Sequence, residues 1–573
     1  MTSAGSTAAT ELLLGLADQG VEYLFANFGT DHTPILEAMA AVREAGRGAD
    51  LPEVVVCPHE FVALSAAHGY AAATGRPQAV LVHVDVGTQN LGAGMHNAHR
   101  SDAPVFVVAG LAPVSDGDHP GARDKTVHYL QDVFDQPGIV REYCRWTGEY
   151  RLPGTPRPLV DRGLDRATAS PPGPVYLTAG REALEAPVGE PTDDEGRGRE
   201  RATPPRAYAA GPGIGPADAD AVAEAVGAAS APLLITSKVG LRDGGAEAVE
   251  AFAEAAGAGV VEHRPLALSL RRDHDRHVGF DPHPMFSEAD LVLAVDVDVP
   301  WIPADGRPTG AERIQIDPAP SKPTYPTWDF AFDRRIAADP VDALAAVTER
   351  LDAGGSGGGE SDPWPAVASA RRTEAAATLA ADREAGRFTP AVVTDVVNDA
   401  LPSSAVVLED AVTSRGDVVA HLDRTEPGSY LANGGSGLGW GIGAGVGVKL
   451  ARGDDLVVSL VGDGAYLFGQ PSVAAWVAAT AGAPTLTVIY DNQGWNAVRR
   501  ATVGQHPEGS AARAGVPESR FATGFDLSAP AQVVDAYTRV AEDEASLATA
   551  LAEAIEAVEA GRPAVIDAKM EPI

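Results

Sequence analysis

Short aliphatic runs alternate with longer, alanine-rich amphipathic stretches along most of the chain. An apolar run of strand length is typical of a parallel strand buried on both faces, and the intervening stretches have the length of helices. Runs of this kind cover residues 52–57, 78–84, 103–110, 231–237, 258–263, 289–297, 312–317, 404–410, 455–464, 484–492 and 562–570. The pattern predicts an α/β fold with three doubly wound parallel-sheet domains.

Two breaks in composition divide this pattern. Residues 189–205 are charged and proline-bearing, and residues 352–365 are rich in glycine, as flexible linkers are. They suggest domains over 1–190, 205–352 and 366–573, each of ordinary domain size. Because ligands of such sheets bind at the carboxyl ends of the strands, we expect the chemistry just after the apolar runs.

Charge and cysteine content narrow the function classes. The chain carries 44 Lys and Arg against 79 Asp and Glu, a net charge of −35, which disfavours nucleic acid and anionic membranes as partners and resembles proteins of salt-rich cytoplasms. Two cysteines, Cys57 and Cys144, exclude a disulfide scaffold and cannot alone hold a structural zinc. The N-terminus lacks a signal-peptide pattern, and we expect a cytoplasmic protein.

Two polar residues follow neighbouring apolar runs in the C-terminal segment. Asp463 and Asn492 stand 29 positions apart, about the length of a βαβ unit, whose crossover brings two strand ends together. With the carbonyl of Gly494 they could supply three oxygens to Mg²⁺, which takes further ligands from phosphates. A diphosphate at the following helix N-terminus would complete the site. The alternative is that both segments are only tight turns.

These motifs resemble the thiamine diphosphate-dependent 2-oxoacid enzymes, such as acetolactate synthases, benzoylformate and pyruvate decarboxylases and pyruvate oxidases. Their signature is GDG followed some two dozen or more residues later by an Asn pair, here Gly462-Asp463-Gly464 and Asp491-Asn492. Ala465 replaces the serine that often follows GDG. The resemblance implies a glycine-rich segment over 434–451, where Gly437 and Leu438 would contact the cofactor and Leu438 would hold it bent.

The same family carries a glutamate in an HE pair ahead of a small-residue helix. This chain has His59-Glu60 and then Gly69-Tyr70-Ala71. By resemblance, Glu60 hydrogen bonds N1′ of the cofactor's pyrimidine and drives its activation, and burial should raise the carboxyl's pKa. The alternative is a carboxylate that only stabilises a helix N-terminus. The resemblance also implies a homodimer or homotetramer.

Substrate-facing residues are harder to identify. Asp31-His32 replaces a Pro-Gly turn common in relatives, so His32 is a candidate for proton transfer, with a helix cap and a solvent-facing histidine as the alternative. His83 is a second candidate, or a satisfied core histidine. Gln89, beyond the strand that carries His83, and Gln131, in a stretch resembling the acetolactate synthase substrate channel, are candidate substrate contacts.

The resemblance predicts a Mg²⁺- and thiamine diphosphate-dependent enzyme acting on a pyruvate-like 2-oxo acid. We expect decarboxylation and then attack of the enamine on a second carbonyl, as in acetolactate synthases. Decarboxylation without ligation, favoured if His32 or His83 lies at the reacting centre, and a non-catalytic regulatory subunit stay open. FAD stays open as the less favoured alternative, because the middle segment lacks both the flavin-binding arginine–acid run and a dinucleotide glycine pattern.

Overall fold

Three six-stranded sheets organise the chain, and every strand pairing in the described residues is parallel. The structure is a computed structural model that describes residues 6–151, 154–188, 211–354, 362–522 and 524–572. This confirms the predicted α/β fold with three parallel sheets. The proposed linker at 189–205 lies outside the described residues, as does the central part, 355–361, of the glycine-rich one.

The first sheet has the order β2-β1-β3-β4-β6-β5. Its strands are β1 Tyr23–Ala26, β2 Glu53–Val56, β3 Gln78–Val82, β4 Val105–Leu111, β5 Trp146–Tyr150 and β6 Val175–Gly180. Its helices are α1 Ala8–Asp18, α2 Thr33–Glu44, α3 Glu60–Thr74, α4 Val84–Asn90, α5 Gly92–Arg100, α6 Val127–Leu130, α7 Arg157–Thr168 and α8 Arg181–Glu185.

The middle sheet has a different order, β9-β8-β7-β10-β11-β12. Its strands are β7 Pro232–Thr236, β8 Gly259–Glu262, β9 His277–Gly279, β10 Leu291–Val295, β11 Glu312–Asp317 and β12 Arg334–Ala337. The accompanying helices are α9 Pro216–Ala228, α10 Gly245–Ala256 and α11 Pro340–Gly354. This order reverses direction between β7 and β10, the switch point at which doubly wound sheets bind ligands.

The third sheet repeats the order of the first, as β14-β13-β15-β16-β18-β17. Its strands are β13 Val406–Asp410, β14 Tyr430–Ala432, β15 Val457–Gly462, β16 Leu486–Asp491, β17 Tyr537–Ala541 and β18 Ala564–Lys569. The remaining helices are α12 Trp364–Glu384, α13 Pro390–Ala400, α14 Arg415–His421, α15 Trp440–Arg452, α16 Asp463–Phe468, α17 Pro471–Thr480, α18 Asn496–Gln505, α19 Ser510–Ala514 and α20 Glu544–Glu559.

Burial on both sheet faces explains the uninterrupted apolar runs. In the middle sheet, Leu234 and Val260 belong to one hydrophobic cluster, whereas Leu233, Ile235 and Val261 belong to another. Because successive strand side chains point to opposite faces, alternate residues feed two separate cores. Both faces therefore favour apolar side chains along most of each strand.

Contacts group the described chain into two units. One contains the first sheet together with residues 433–453 and 467–484, and the other contains the middle and third sheets. Among the helices of the described residues, none combines the length and the apolar character needed to cross a membrane.

Candidate active site

The Glu60 carboxylate is buried at the first residue of α3 and is held by two amides. The side chain of Asn27, directly after β1, donates to Glu60 Oε1 at 2.9 Å, and Asn90, at the end of α4, donates to Oε2 at 2.9 Å. Glu60 is only 5% exposed, and these donors replace the water that burial removes. Each oxygen keeps a second lone pair for a ligand. Sequence reasoning did not identify Asn27 or Asn90 as site residues.

Helix α3 is fixed by unusually close packing against α15. A Cβ on Gly69 would lie 2.2 Å from the carbonyl oxygen of Ala444, and one on Gly447 would lie 1.8 Å from that of Ala66. Glycines therefore allow the two backbones to touch. Because Glu60 begins α3, this contact also fixes the backbone from which its carboxylate projects.

The glycine-rich segment before α15 is clamped by a buried asparagine. Asn97 on α5 accepts from the N–H of Gly437 at 2.9 Å and donates to its carbonyl at 2.8 Å. Leu438, the predicted cofactor prop, is half-buried directly after this clamp. The segment is thus rigidly anchored within its unit, as a cofactor-supporting loop needs to be.

His83 lies at the carboxyl end of β3 and pairs with Asp31. Its Nδ1 makes a short contact with Asp31 Oδ1, and Gln131 Nε2 lies 2.8 Å from its Nε2. The hydrogen bond to the Asp31 carboxylate and the charge of Asp31 outweigh the desolvation by burial that would lower the pKa of His83, so this pKa lies above its usual range. Gln89 is exposed and contacts Asp85 at 3.4 Å rather than His83.

His32 contacts the same carboxylate as His83, with its Nε2 3.2 Å from Asp31 Oδ2, but it is more deeply buried. It is fully buried, its Nδ1 accepts from the N–H of Gly29 at 3.0 Å, and its Nε2 lies 3.1 Å from the carbonyl of Val82. Burial lowers the pKa of His32, so it stays neutral. Both ring nitrogens have partners and the side chain is 0% exposed, whereas the side chain of His83 is 17% exposed. His32 therefore offers no accessible nitrogen for proton transfer to a substrate.

Three carboxylates gather at the carboxyl edge of the third sheet. Asp463 follows β15, Asp491 ends β16 and Asp567 lies in β18, and all three are buried. Burial, together with the charge of Asp491, raises the pKa of Asp463 and that of Asp567 to about 7. Asp567 was missed by sequence reasoning, because its strand follows β16 only after a long intervening segment.

The predicted metal ligands converge at this edge. Asp463 Oδ2 accepts from the N–H of Gly494 at 2.9 Å, which places the two segments in direct contact. Asn492 is 8% exposed, and its Oδ1 is buried with no hydrogen-bond partner among the described residues. An orphaned amide oxygen beside desolvated carboxylates fits a hard divalent cation, which takes oxygen ligands. The residues present therefore suit Mg²⁺.

The glycine turn itself is tightly enclosed. A Cβ on Gly464 would lie 2.2 Å from the ring of Trp495, so no larger residue fits there. The N–H of Gly464 already donates to Asp463 Oδ1 at 2.7 Å, and α16 spans only six residues. Gly462 and buried Ala465 flank the turn. A diphosphate would thus rely on the cation more than on this helix end.

The switch point of the middle sheet is filled by ion pairs. Lys238, after β7, and Lys322 each lie 2.7 Å from the carboxylate of Asp298, which follows β10. Arg242 lies 2.7 Å from Asp296 on the same edge. Here the acids and bases compensate one another within the protein, at the position where a dinucleotide would bind.

One further cluster has side chains of metal-binding type. His274 Nε2 lies 3.9 Å from Glu250 and 3.7 Å from Glu254. His274 Nδ1, however, accepts from the N–H of Arg276 at 3.1 Å, so Nε2 carries the proton and faces both carboxylates. With its proton on Nε2, His274 offers the glutamates a donor and leaves no lone pair for a metal ion there.

Three parallel sheets carry ionisable side chains at their carboxyl edges, the position at which α/β folds of this kind bind ligands. Residues 6–139 match the N-terminal TPP binding domain of thiamine pyrophosphate enzymes, and residues 410–568 match the C-terminal TPP binding domain. The chain belongs to this family of thiamine diphosphate-dependent enzymes.

Relatives of two reaction types resemble the chain. Benzoylformate decarboxylase of Pseudomonas aeruginosa is 25% identical over 510 residues, covering 84% of this chain and 85% of that protein. Acetolactate synthase of Bacillus subtilis is 24% identical over 559 residues, covering 91% and 88%. The 4-hydroxybenzoylformate decarboxylase structure from Rhodococcus jostii RHA1 superposes with a TM-score of 0.80 at 20% identity over 99% of both chains. Identity does not separate decarboxylation from ligation.

Proposed function

We propose that this protein is a Mg²⁺-dependent decarboxylase of 2-oxo acids that releases an aldehyde. The observation that carries the proposal is the occurrence of Glu60 and of an ionisable His83 at the same edge of the first sheet, after β2 and β3. Glu60 suits proton exchange with the cofactor, and His83 suits proton donation to the substrate. The acetolactate synthase-like ligation expected from the sequence is the rival outcome.

Bound thiamine diphosphate supplies the nucleophilic carbon that adds to the keto group and stores the electron pair released with CO₂. Glu60 would hold a proton at N1′ of the pyrimidine, and the amides of Asn27 and Asn90 keep its carboxyl group aimed in one direction. Their two hydrogen bonds also limit rotation of the side chain, which is the positional accuracy that proton exchange requires.

Asp463, Asn492 and the carbonyl of Gly494 would hold Mg²⁺. The support is the orphaned Oδ1 of Asn492 and the contact between Asp463 and Gly494. The cation would anchor the cofactor's diphosphate, whose oxygens complete the ligand set. It would also compensate the charge of the buried carboxylates, which the protein alone leaves partly protonated near neutral pH.

His83 would donate a proton to the carbon that has lost CO₂, so that the product leaves as an aldehyde. Its Nε2 faces Gln131, which is therefore a neighbour of the proton donor rather than an independent binding residue. His32 is not proposed as a donor, because its ring is fully buried and both of its nitrogens contact groups of the protein. We propose no flavin, since the ion pairs of Lys238 and Lys322 with Asp298 fill the middle switch point.

The test is product analysis with a panel of 2-oxo acids. Wild type with thiamine diphosphate and Mg²⁺ should release CO₂ and the matching aldehyde in equal amounts. Glu60→Gln should lower kcat by about 10²–10⁴-fold, because proton transfer to the cofactor is impaired. Glu53→Gln, at an exposed position on β2, is the matched control and should retain wild-type rates.

Two results would contradict the proposal. Formation of a ligated hydroxy-oxo acid without free aldehyde would support the synthase reaction instead. No CO₂ release from any substrate, with the cofactor bound, would favour a non-catalytic cofactor-binding subunit.

A further inference from the structure

The pair of Asp31 and His83 has a second anchor in the backbone. Asp31 is 4% exposed, and while its Oδ1 contacts His83 Nδ1, its Oδ2 accepts from the N–H of Val84 at 3.3 Å. One carboxylate thus fixes both the ring of His83 and the peptide that follows it. Because β1 pairs with β3, the loop carrying Asp31 reaches the end of the strand that precedes His83.

Two glycines leave the space that the contact between Asp31 and His83 needs. A Cβ on Gly110, in the neighbouring strand β4, would lie 1.5 Å from Asp31 Oδ2, and one on Gly29 would lie 2.1 Å from His83 Nδ1. Val84 has φ of +26°, a conformation that β-branched residues avoid. Such strain persists where surrounding contacts enforce it, and it is common at functional sites.

The two nitrogens of His83 are thereby given different roles. A carboxylate can only accept, so Nδ1 carries a proton toward Asp31. In the neutral ring Nε2 is then the acceptor, and the amide of Gln131 at 2.8 Å donates to it. In the protonated ring Nε2 becomes a donor while Nδ1 keeps its bond. The proton that enters and leaves is always the one on Nε2.

We infer that Asp31 is a positioning residue that fixes the tautomer of His83, so that Nε2 alone delivers the proton ending the reaction. The inference rests on the proposed decarboxylase function. The bond from the keto carbon to the carboxylate breaks, CO₂ leaves, and a C–H bond forms with the proton from Nε2. His83 then regains a proton from solvent, so one proton is consumed per 2-oxo acid and nothing is oxidised or reduced.

Asp31→Asn tests this role. The amide can donate to Nδ1, which moves the ring proton to Nε2 and removes the charge that supports the imidazolium. We expect kcat to fall about 100-fold with KM nearly unchanged, and the alkaline limb of the kcat profile to move to lower pH. Asp85→Asn, which removes a charge from α4 without touching the ring, should move that limb much less.

A second measurement needs neither cofactor nor turnover. Diethyl pyrocarbonate acylates neutral imidazole, and peptide mass spectrometry can follow His83 alone as a function of pH. The groups facing His83 are Asp31 and His32 from the loop after β1, Asp85 from α4 and Gln131 from the end of α6. In wild type the midpoint should lie above that of an ordinary histidine, and in Asp31→Asn it should fall.

The outcomes distinguish the role of Asp31 from the proposed decarboxylase function. A wild-type midpoint at or below the ordinary histidine value would overturn the role of Asp31, even if the variant failed to fold. An Asp31→Asn enzyme with wild-type kcat and pH profile would also overturn the role of Asp31. In either case, aldehyde release by wild type would still support the proposed function. Absence of aldehyde from wild type, with a raised His83 midpoint, would overturn the function and leave the pairing intact.

Discussion

The carboxyl edges of the middle and third sheets are both rich in buried acids, but they balance their charges differently. In the middle sheet, Asp298 is shared by Lys238 and Lys322, so the edge is neutralised by the protein itself. In the third sheet, Asp463 and Asp567 are desolvated and have raised pKa values of about 7, and Asn492 Oδ1 is orphaned. A ligand site is recognised by the charge that the protein leaves uncompensated, not by the presence of acids.

The largest effect on activity should come from removing a carboxylate at the carboxyl edge of the third sheet. Asp463→Asn should reduce turnover to near background, at least about 100-fold, because the proposed Mg²⁺ site would lose a carboxylate ligand. Steady-state kinetics over a range of Mg²⁺ concentrations measure this. The matched change at the middle edge, Asp317→Asn, alters an acid that contacts Lys322 and should leave the Mg²⁺ requirement unchanged. Equal losses in both variants would remove the distinction between the edges.

Removing a carboxylate from the carboxyl edge of the middle sheet should affect stability instead of cofactor binding. Asp298→Asn removes the carboxylate that two buried lysines share, which should lower the free energy of unfolding by about 3 kcal/mol. Denaturant unfolding, followed alongside thiamine diphosphate affinity, checks this. A variant as stable as wild type but weakened in cofactor binding would show that the middle edge is itself a ligand site.

The sequence predicts the sheets well where strands are central and buried. The runs at 289–297 and 484–492 correspond to β10 and β16, which have neighbours on both sides. The edge strands β5, β9, β12, β14 and β17 were not recognised, because an edge strand has one neighbour and its residues need not be uniformly apolar. Two central strands were missed as well: β1 spans only four residues, and β6 includes Thr178. The apolar runs from which strands are recognised therefore reflect burial more than intrinsic strand preference.

Some contacts of the candidate site could be predicted from the sequence, and others could not. Asp463 and Gly494 could be brought together from sequence, because a single βαβ crossover connects their strands. Asp31 and His83 could not be paired in this way, since β2 and α3 lie between them and only the pairing of β1 with β3 joins them. Likewise Asn27 and Asn90 approach Glu60 from two different segments. Side-chain pairs set by sheet order need the sheet order first.

The most direct measurement is a calorimetric titration of thiamine diphosphate and Mg²⁺ into the wild-type protein between pH 6 and 8. The raised pKa values mean that the metal-free folded protein keeps protons that the unfolded chain has lost above pH 4, so its stability falls as pH rises toward 7. Mg²⁺ must displace these protons, so its affinity should rise about tenfold or more per unit as pH rises to about 7.

Cofactor binding should require Mg²⁺, strengthen as the pH rises across this range and release protons. Cofactor binding of equal strength in a chelator, with no dependence on pH, would contradict this prediction.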